Sequence, residues 1–254
     1  MRLEVLPSPR AAARRAAEKV ASVLRRRGTR RLVLASGRTM VPVYEELVRL
    51  HRSGRAPFRR AETFNLDELA VAPGDPRSFR SFMERHLFSQ VDLAVSHVHF
   101  LRGDAPDPPK ESRRYEKELA RRLPDLVLVG IGTNGHVAYV EPGETLVPET
   151  ARVRLSVSTR RGLAAGGMRP VPREALTMGI ESILAAREIL LVATGKAKAR
   201  IVAAALRGPV TPRCPASFLS LHPGLSVILD RAAFGRGGRF ATRRPRVSKP
   251  GPSS

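Results

Sequence analysis

At 254 residues, 42% of them hydrophobic, the chain is long enough for one large α/β domain or two small ones with a buried core. No run of about 18 apolar residues predicts a transmembrane helix, and the first residues hold no apolar segment of the signal-peptide type. The single cysteine, Cys214, excludes an internal disulfide and a cysteine-rich zinc site. We therefore expect a cytoplasmic protein without a membrane partner.

The formal net charge of +22 has two interpretations. It could indicate nucleic-acid binding, or it could be a solvated basic surface with a preference for anionic substrates. Much of the excess is arginine scattered along alanine-rich segments such as residues 11–31, and no basic patch is interleaved with aromatic residues. We favour the basic surface and expect no specific nucleic-acid partner.

Apolar runs and helically spaced apolar residues alternate along the chain, beginning with a short edge strand. The predicted strands are 2–6, 31–35, 62–66, 98–101, 126–129, 153–157, 189–193 and 225–229. The predicted helices are 9–27, 42–52, 78–90, 110–122, 173–186, 199–206 and 217–222. Residues 160–171 are rich in glycine and are expected to be mobile. This alternation predicts a doubly wound, mostly parallel, Rossmann-like α/β sheet with helices on both faces.

Two of the predicted strand-to-helix turns suit the binding of a phosphate. The strand at 31–35 runs into Ser36, Gly37, Arg38 and Thr39, and a helix follows. Free backbone N–H groups and the helix dipole would then point at an anion. The strand at 189–193 leads in the same way to Lys198 at a helix start. Neither turn fits the P-loop pattern, so an ordinary turn and a surface lysine remain the alternatives.

Two further strand ends carry groups that can transfer protons. Asp67 and Glu68 follow the strand at 62–66, and a loop with three glycines after residues 126–129 presents His136 and Glu141. Each group alone could be structural, as a turn, a helix cap or a partly buried histidine. Because ligands bind at the carboxyl ends of the strands in open parallel sheets, the coincidence of four such ends predicts a site for a sugar phosphate or a similar small anion.

Several motifs occur in one order and with fitting spacings: TFNLDE at 63–68, DPRSFRSFM at 75–83, GIGTNGHVAYVEPG at 130–143, VPREALTMGI at 171–180, ATGKAKA at 193–199 and SFLSLHP at 217–223. Together they resemble the glucosamine-6-phosphate deaminases, which share a wider fold group with the 6-phosphogluconolactonases. The resemblance covers roughly residues 1–232. Lactonases typically have an arginine after the acidic pair, whereas this chain has Leu69. We expect one sugar-phosphate isomerase/deaminase-like domain at 1–234 and a disordered basic tail at 235–254.

The resemblance implies conversion of glucosamine 6-phosphate and water to fructose 6-phosphate and ammonia. His136 would open the sugar ring, Asp67 would move a proton between C2 and C1, and Glu141 would support the histidine; the enolamine then loses ammonia. The implied phosphate ligands are Ser36, Gly37, Arg38, Thr39 and Lys198. No metal or organic cofactor is implied, the expected partner is a small sugar phosphate, and a homo-oligomer stays open.

Three departures from the family pattern bear on this function. Asn134 stands where the family has an aspartate, and its side-chain oxygen is expected to accept the imidazole N–H without adding charge. Residues 160–170 lack the usual phosphate-binding arginine, for which Arg161 or Arg169 is a candidate. Leu69 replaces an aromatic residue. A lactonase-like hydrolase and a non-catalytic sugar-phosphate-binding relative therefore remain alternatives.

The tail from Gly235 is predicted to be dispensable, because it lacks the apolar periodicity that could bury a core. Its basic residues are Arg236, Arg239, Arg243, Arg244, Arg246 and Lys249. Truncation after Phe234 should leave the melting temperature and kcat unchanged. A clear fall in either quantity, measured beside the full chain, would show that the tail docks on the body or on a second subunit.

Overall fold

The computed structural model describes residues 1–235, so the predicted tail, apart from Gly235, lies outside the described residues. The strands are β1 (Arg2–Leu6), β2 (Arg30–Leu34), β3 (Ala61–Asn65), β4 (Asp67–Leu69), β5 (Val98–His99), β6 (Leu126–Val129), β7 (Ala151–Arg154), β8 (Glu174–Thr177), β9 (Ile189–Ala193) and β10 (Leu225–Asp230). The α-helices are α1 (Pro9–Leu24), α2 (Val41–Arg52), α3 (Phe79–His86), α4 (Pro108–Ala120), α5 (Val157–Ala165), α6 (Ile180–Leu184), α7 (Ala199–Arg207) and α8 (Arg231–Phe234). Short 3₁₀ helices lie at Phe88–Gln90, Val95–His97, Lys196–Lys198 and Pro215–Leu221.

Seven strands form one sheet in the order β1-β10-β9-β6-β2-β3-β5, and every neighbouring pair is parallel. Every residue of β6 and β9 is buried, as expected for apolar strands covered on both faces. The chain moves from β2 to β3 and β5 on one side, then returns to β6 and continues to β9 and β10 on the other. Since such crossovers are right-handed, this reversal places helices on both faces, and the predicted fold class is confirmed.

A second sheet of three antiparallel strands, in the order β4-β8-β7, carries the acidic pair. The predicted helix at 173–186 is therefore wrong over its first half: β8 pairs with both neighbours, and only α6 is helical. Pairing has overridden the helix propensity of its Glu-Ala-Leu segment. At Gly179, between β8 and α6, a Cβ atom would lie 2.2 Å from the carbonyl of Pro148, so the close approach of the two segments requires glycine.

Part of the glycine-rich segment at 160–171 is helical, since α5 covers Val157–Ala165; the mobility of the segment stays a prediction. Ser156 caps this helix: its Oγ accepts a hydrogen bond from the backbone N–H of Thr159 at 3.1 Å. The strand predicted at 153–157 occurs slightly earlier, as β7, and the residues after it belong to the cap and the helix.

The remaining elements are confirmed with shifted ends. The helix predicted at 78–90 divides at Leu87 into α3 and a 3₁₀ turn, and the strand at 98–101 is reduced to β5. Among residues 1–235, no helix is both long and apolar enough to cross a membrane.

Candidate active site

A cavity of about 300 Å³ lies between the loops that follow β2 and β6. It brings together seven of the residues predicted from the sequence: Ser36, Gly37, Arg38, Thr39, Asn134, His136 and Lys198. The other two lie directly behind its wall. Asp67 is beside Ser36, and Glu141 is beside His136. The four strand ends therefore meet at one place, as predicted.

The loop after β2 forms one end of the cavity. Gly37 has φ +108°, a backbone conformation that L side chains rarely adopt, and this turn directs the loop toward α2. Arg38 and Thr39 make no hydrogen bond or ion pair with another residue of the described chain. The N-terminus of α2 has no side-chain cap. Free donors, an exposed guanidinium and a helix N-terminus together make this end suited to an anion.

Lys198 closes the same end from the loop after β9. Its Nζ donates a hydrogen bond to the carbonyl oxygen of Ile131 at 2.7 Å. Burial lowers the pKa of Lys198, and the positive charge of Arg38 lowers it further. Two cations are thus held near each other at the cavity, an arrangement that an anion between them would stabilise.

The expectation that Arg161 or Arg169 supplies an arginine to this end is not met, because neither lines the cavity. The side of α5 that faces the cavity consists of Ser158, Thr159, Gly162 and Leu163. Arg161 lies outside this set on the same helix and is exposed. Arg38 reaches the end of α5 from the opposite wall, since a Cβ placed on Gly166 would be 4.0 Å from its guanidinium carbon.

Asp67 is held at the start of β4 and is only 7% exposed. Burial raises its pKa to about 7, the neighbouring charge of Glu68 adds to this, and the hydroxyl of Ser36, 3.4 Å from Oδ1, opposes it. A carboxylate with such a pKa exchanges protons near neutral pH, which is the property that a general base requires.

Glu68 fixes the acidic pair to α3. Its carboxylate accepts backbone N–H hydrogen bonds from Leu69 at 2.8 Å, Phe79 at 2.7 Å and Arg80 at 2.9 Å. Burial raises the pKa of Glu68 to about 7 although these three bonds favour the ionised form. Phe79 also lines the cavity, so the same carboxylate positions both the predicted base and a wall of the site.

His136 lines the cavity from the loop after β6. Its Nδ1 is 3.2 Å from Thr159 Oγ1 and 3.6 Å from Glu141 Oε2. The ring packs against the backbone of Gly132, where a Cβ atom would lie 2.5 Å from its Cε1 and Nε2 atoms. Glycine is therefore required at position 132 for the imidazole to occupy this place.

Asn134 supports Glu141 and not the imidazole, which corrects the sequence expectation. Its Oδ1 accepts the backbone N–H of His136 at 3.2 Å, and its Nδ2 donates to Glu141 Oε2 at 2.9 Å and to Ser158 Oγ at 3.2 Å. Burial alone would raise the pKa of Glu141, but hydrogen bonds from His136, Thr159 and Asn134 bring it to about 2. Glu141 thus stays ionised beside the histidine.

Sequence reasoning missed Thr159 and Tyr139, which both lie at the cavity. Thr159 lies between the strand predicted at 153–157 and the segment at 160–171, although Ser156 three residues earlier is a usable N-cap signal. Tyr139 lies within the motif at 130–143, and the motif alone gives it no role. Within residues 1–235, no group of three or more histidine, cysteine or acidic side chains could hold a metal ion.

The chain matches one known protein family over most of its length. Residues 8–227 match the family described as glucosamine-6-phosphate isomerases/6-phosphogluconolactonase. The chain belongs to this family. The matched range contains all nine residues predicted for the site.

Similar proteins cover nearly the whole chain. Glucosamine-6-phosphate deaminase 1 of Giardia intestinalis is 43% identical over 225 residues, which are 85% of this chain and 84% of that protein. The glucosamine-6-phosphate deaminase of Rhodopirellula baltica is 40% identical over 238 residues, 91% and 94% of the two chains. A solved monomeric glucosamine-6-phosphate deaminase superposes with a TM-score of 0.89 at 34% identity and covers 92% and 99%. The isomerase/lactonase family fold thus extends over residues that form both ends of the cavity.

The contact between His136 and Glu141 generates a prediction. Glu141→Gln removes the charge that stabilises a protonated imidazole. Asn134 Nδ2 and the backbone N–H of Ser156 both donate hydrogen bonds to the Glu141 carboxylate, so the NH2 group of the glutamine would face one of these donors and lose that hydrogen bond. We expect turnover to fall by roughly 10- to 100-fold, the scale of one lost charge-assisted contact. KM should change little, because Glu141 lies behind the wall of the cavity and does not line it.

The measurement is kcat and KM for the parent and the variant under the same conditions. A kcat equal to that of the parent would mean that Glu141 serves only to hold the loop.

Proposed function

We propose that the protein is a glucosamine-6-phosphate deaminase. One observation carries this proposal: a histidine paired with an ionised glutamate lines the same cavity as a cationic anion site, and a buried carboxylate with a pKa of about 7 lies directly behind the wall of that cavity. An amino-sugar phosphate has its phosphate several bonds from the carbons that react. The separate anion-binding end and acid–base end of the cavity match this separation.

The phosphate would lie against the loop after β2, with Arg38 and Lys198 on either side. Neither cation is held by a carboxylate in residues 1–235; Lys198 Nζ donates to a carbonyl. Arg38 supplies the guanidinium that the family takes from the segment of α5. The absence of an arginine there is therefore no sign of a lost phosphate site.

Ring opening would use His136. The protonated imidazole gives a proton to the ring oxygen, the C1–O5 bond breaks, and the hydroxyl on C1 returns its proton to the imidazole as the carbonyl forms. Glu141 stabilises the charged imidazole, and Thr159 and Gly132 fix the ring. Asn134 contributes by holding Glu141.

Proton transfer would use Asp67. The carboxylate takes the proton from C2, the C–H electron pair becomes the C1–C2 double bond, and O1 receives a proton from His136. Asp67 then gives its proton to C1 while the nitrogen lone pair forms a C2–N double bond. Water adds to C2 and ammonia leaves, which yields fructose 6-phosphate. Although water is consumed, the steps are an aldose–ketose isomerisation followed by deamination.

The enzymatic alternative is a 6-phosphogluconolactonase, and the other alternative is a sugar-phosphate-binding protein without turnover. The purified protein is incubated with glucosamine 6-phosphate while ammonia is measured, then with 6-phosphogluconolactone while acid release is followed. We expect ammonia and no enzymatic acid release. Acid release alone would establish the lactonase, and binding of the sugar phosphate without either product would establish the non-catalytic protein.

Asp67→Asn tests the proposed base. The change keeps size and polarity but removes basicity, so kcat should fall by roughly 10²–10⁴-fold with little change in KM. In the parent, kcat/KM should rise with pH through about 7, because burial raises the pKa of Asp67 to about 7 and the base must be ionised. A variant with near-parental kcat would remove Asp67 from the mechanism.

Removing the cations tests the phosphate end. Arg38→Ala and Lys198→Ala should each raise KM by roughly 10-fold or more, as expected for a lost charge-assisted contact. Each should also weaken inhibition by inorganic phosphate. Arg161→Ala is the matched control, since it removes an arginine of α5 that does not line the cavity. Equal inhibition by phosphate in all four proteins would rule out this assignment.

A further inference from the structure

The fold gathers several arginine clusters at the end of the large sheet that lies opposite the cavity. All strands of this sheet are parallel, so their amino ends share one edge, and the segments that lead into β9, β6, β2 and β3 are neighbours there. A backbone hydrogen bond of 2.8 or 2.9 Å joins each neighbouring pair of segments: Arg187 to Pro124, Asp125 to Arg31, and Arg30 to Arg60. The four segments therefore form one continuous surface.

This surface is strongly basic, and we call it the arginine face. It consists of residues 25–30, 55–60, 121–125 and 187–188, which contain ten arginines and no lysine. Two acidic residues, Asp125 and Glu188, are the only carboxylates in these segments. Along the sequence the arginines appear as short separate clusters, and only the pairing of the strands brings the clusters together.

Most of the guanidinium groups on the arginine face are not neutralised by a carboxylate. Asp125 is shared among three of them at distances of 3.3, 3.3 and 4.0 Å, and Glu188 lies 2.5 Å from Arg26. Five others are exposed and make no side-chain hydrogen bond or ion pair within residues 1–235: Arg27, Arg55, Arg59, Arg60 and Arg121. The face therefore carries a large uncompensated positive charge.

We propose that the arginine face binds the phosphate backbones of a double-helical nucleic acid without sequence preference. A guanidinium group binds phosphate through two parallel hydrogen bonds, which a lysine cannot do. Four neighbouring strands span about 14 Å at the usual strand spacing of about 4.8 Å. The major groove of B-DNA is about 12 Å wide, so side chains on the face can contact phosphates on both of its sides. Such contacts carry no sequence information.

The other side chains on the arginine face disfavour two alternative partners. Proteins that bind single strands stack the bases on exposed aromatic residues, whereas the one aromatic residue of these segments, Phe58, is buried. Binding at a membrane surface is strengthened by apolar side chains that enter it, and Leu123 is the one exposed large hydrophobic residue of these segments. A regularly charged duplex therefore fits the face better than either.

Removing unpaired guanidinium groups tests the inference. The face variant combines Arg27→Gln, Arg59→Gln and Arg121→Gln, and the full chain is titrated against a short fluorescent DNA duplex of mixed sequence at several salt concentrations. We expect the variant to bind at least about 10-fold more weakly at low salt, and the slope of log K against log salt to become shallower by about 3, since each phosphate contact contributes about 0.9. Its melting temperature and kcat should equal those of the parent, because these side chains hold no other residue and lie far from the cavity.

The control variant loses the same charge at the opposite end of the sheet. It combines Arg10→Gln, Arg161→Gln and Arg213→Gln, three exposed residues without a side-chain partner in the described part of the chain. Arg10 begins α1 after the carboxyl end of β1, and Arg161 lies on α5. We expect this variant to bind the duplex like the parent.

Several results would overturn the inference, and none of them bears on the proposed reaction, whose kcat is measured separately. Equal weakening in both variants would mean that only net charge matters. Parental binding by the face variant would place the contact elsewhere, as would a parent that does not bind the duplex at low salt. Clear discrimination between two duplexes of unrelated sequence would exclude binding through the backbones alone. If phosphatidylcholine vesicles with added phosphatidylserine bind through the face and the duplex does not, the partner is a membrane.

Discussion

The site depends on the point where the chain reverses direction in its parallel sheet. From β2 the chain proceeds to β3 on one side, and the adjacent β6 starts the series on the other side. The loops after β2 and β6 must therefore diverge, which opens a crevice between them. The strands that carry the groups, β9, β6, β2 and β3, are consecutive in the sheet. This strand order places Lys198, His136 and Arg38 at one cavity, with Asp67 directly behind its wall.

The buried carboxylate of Asp67 lowers the stability of the fold when it is ionised. The pKa of Asp67 is about 7 in the folded protein and 3.8 in the reference state, so the fold favours its protonated form. The contribution of Asp67 to the free energy of unfolding therefore falls as the pH rises from about 4 toward 7. Over the same range Asp67 becomes ionised and can act as a base. The small antiparallel sheet and the three N–H groups bound by Glu68 hold the pair in place against this loss.

The sequence predicted the large sheet well because strands such as β6 and β9 are continuous apolar runs. Such a run can be recognised in the sequence without knowing which strands pair with it. It failed for β8, where local propensity and tertiary context disagree: Glu-Ala-Leu favours a helix, yet lies between β4 and β7. It also failed for α5, where the glycines of the segment obscured the N-cap signal of Ser156. The same failure hid Thr159. Strand ends located the charged groups, but only the packing showed that Asn134 holds Glu141 and that Arg38 lies near the end of α5.

The cavity separates its charges in a way that distinguishes the candidate substrates. Arg38, Lys198 and the start of α2 make one end cationic, whereas Asp67, Glu68 and Glu141 surround the other. An amino-sugar phosphate has a dianion at one end and a basic nitrogen at the other, so both ends are matched. A phosphorylated lactone satisfies only the cationic end and would bring a neutral ester to three carboxyl groups. An amine would be attracted, which makes the nitrogen of the substrate, and not its phosphate alone, the basis of selectivity.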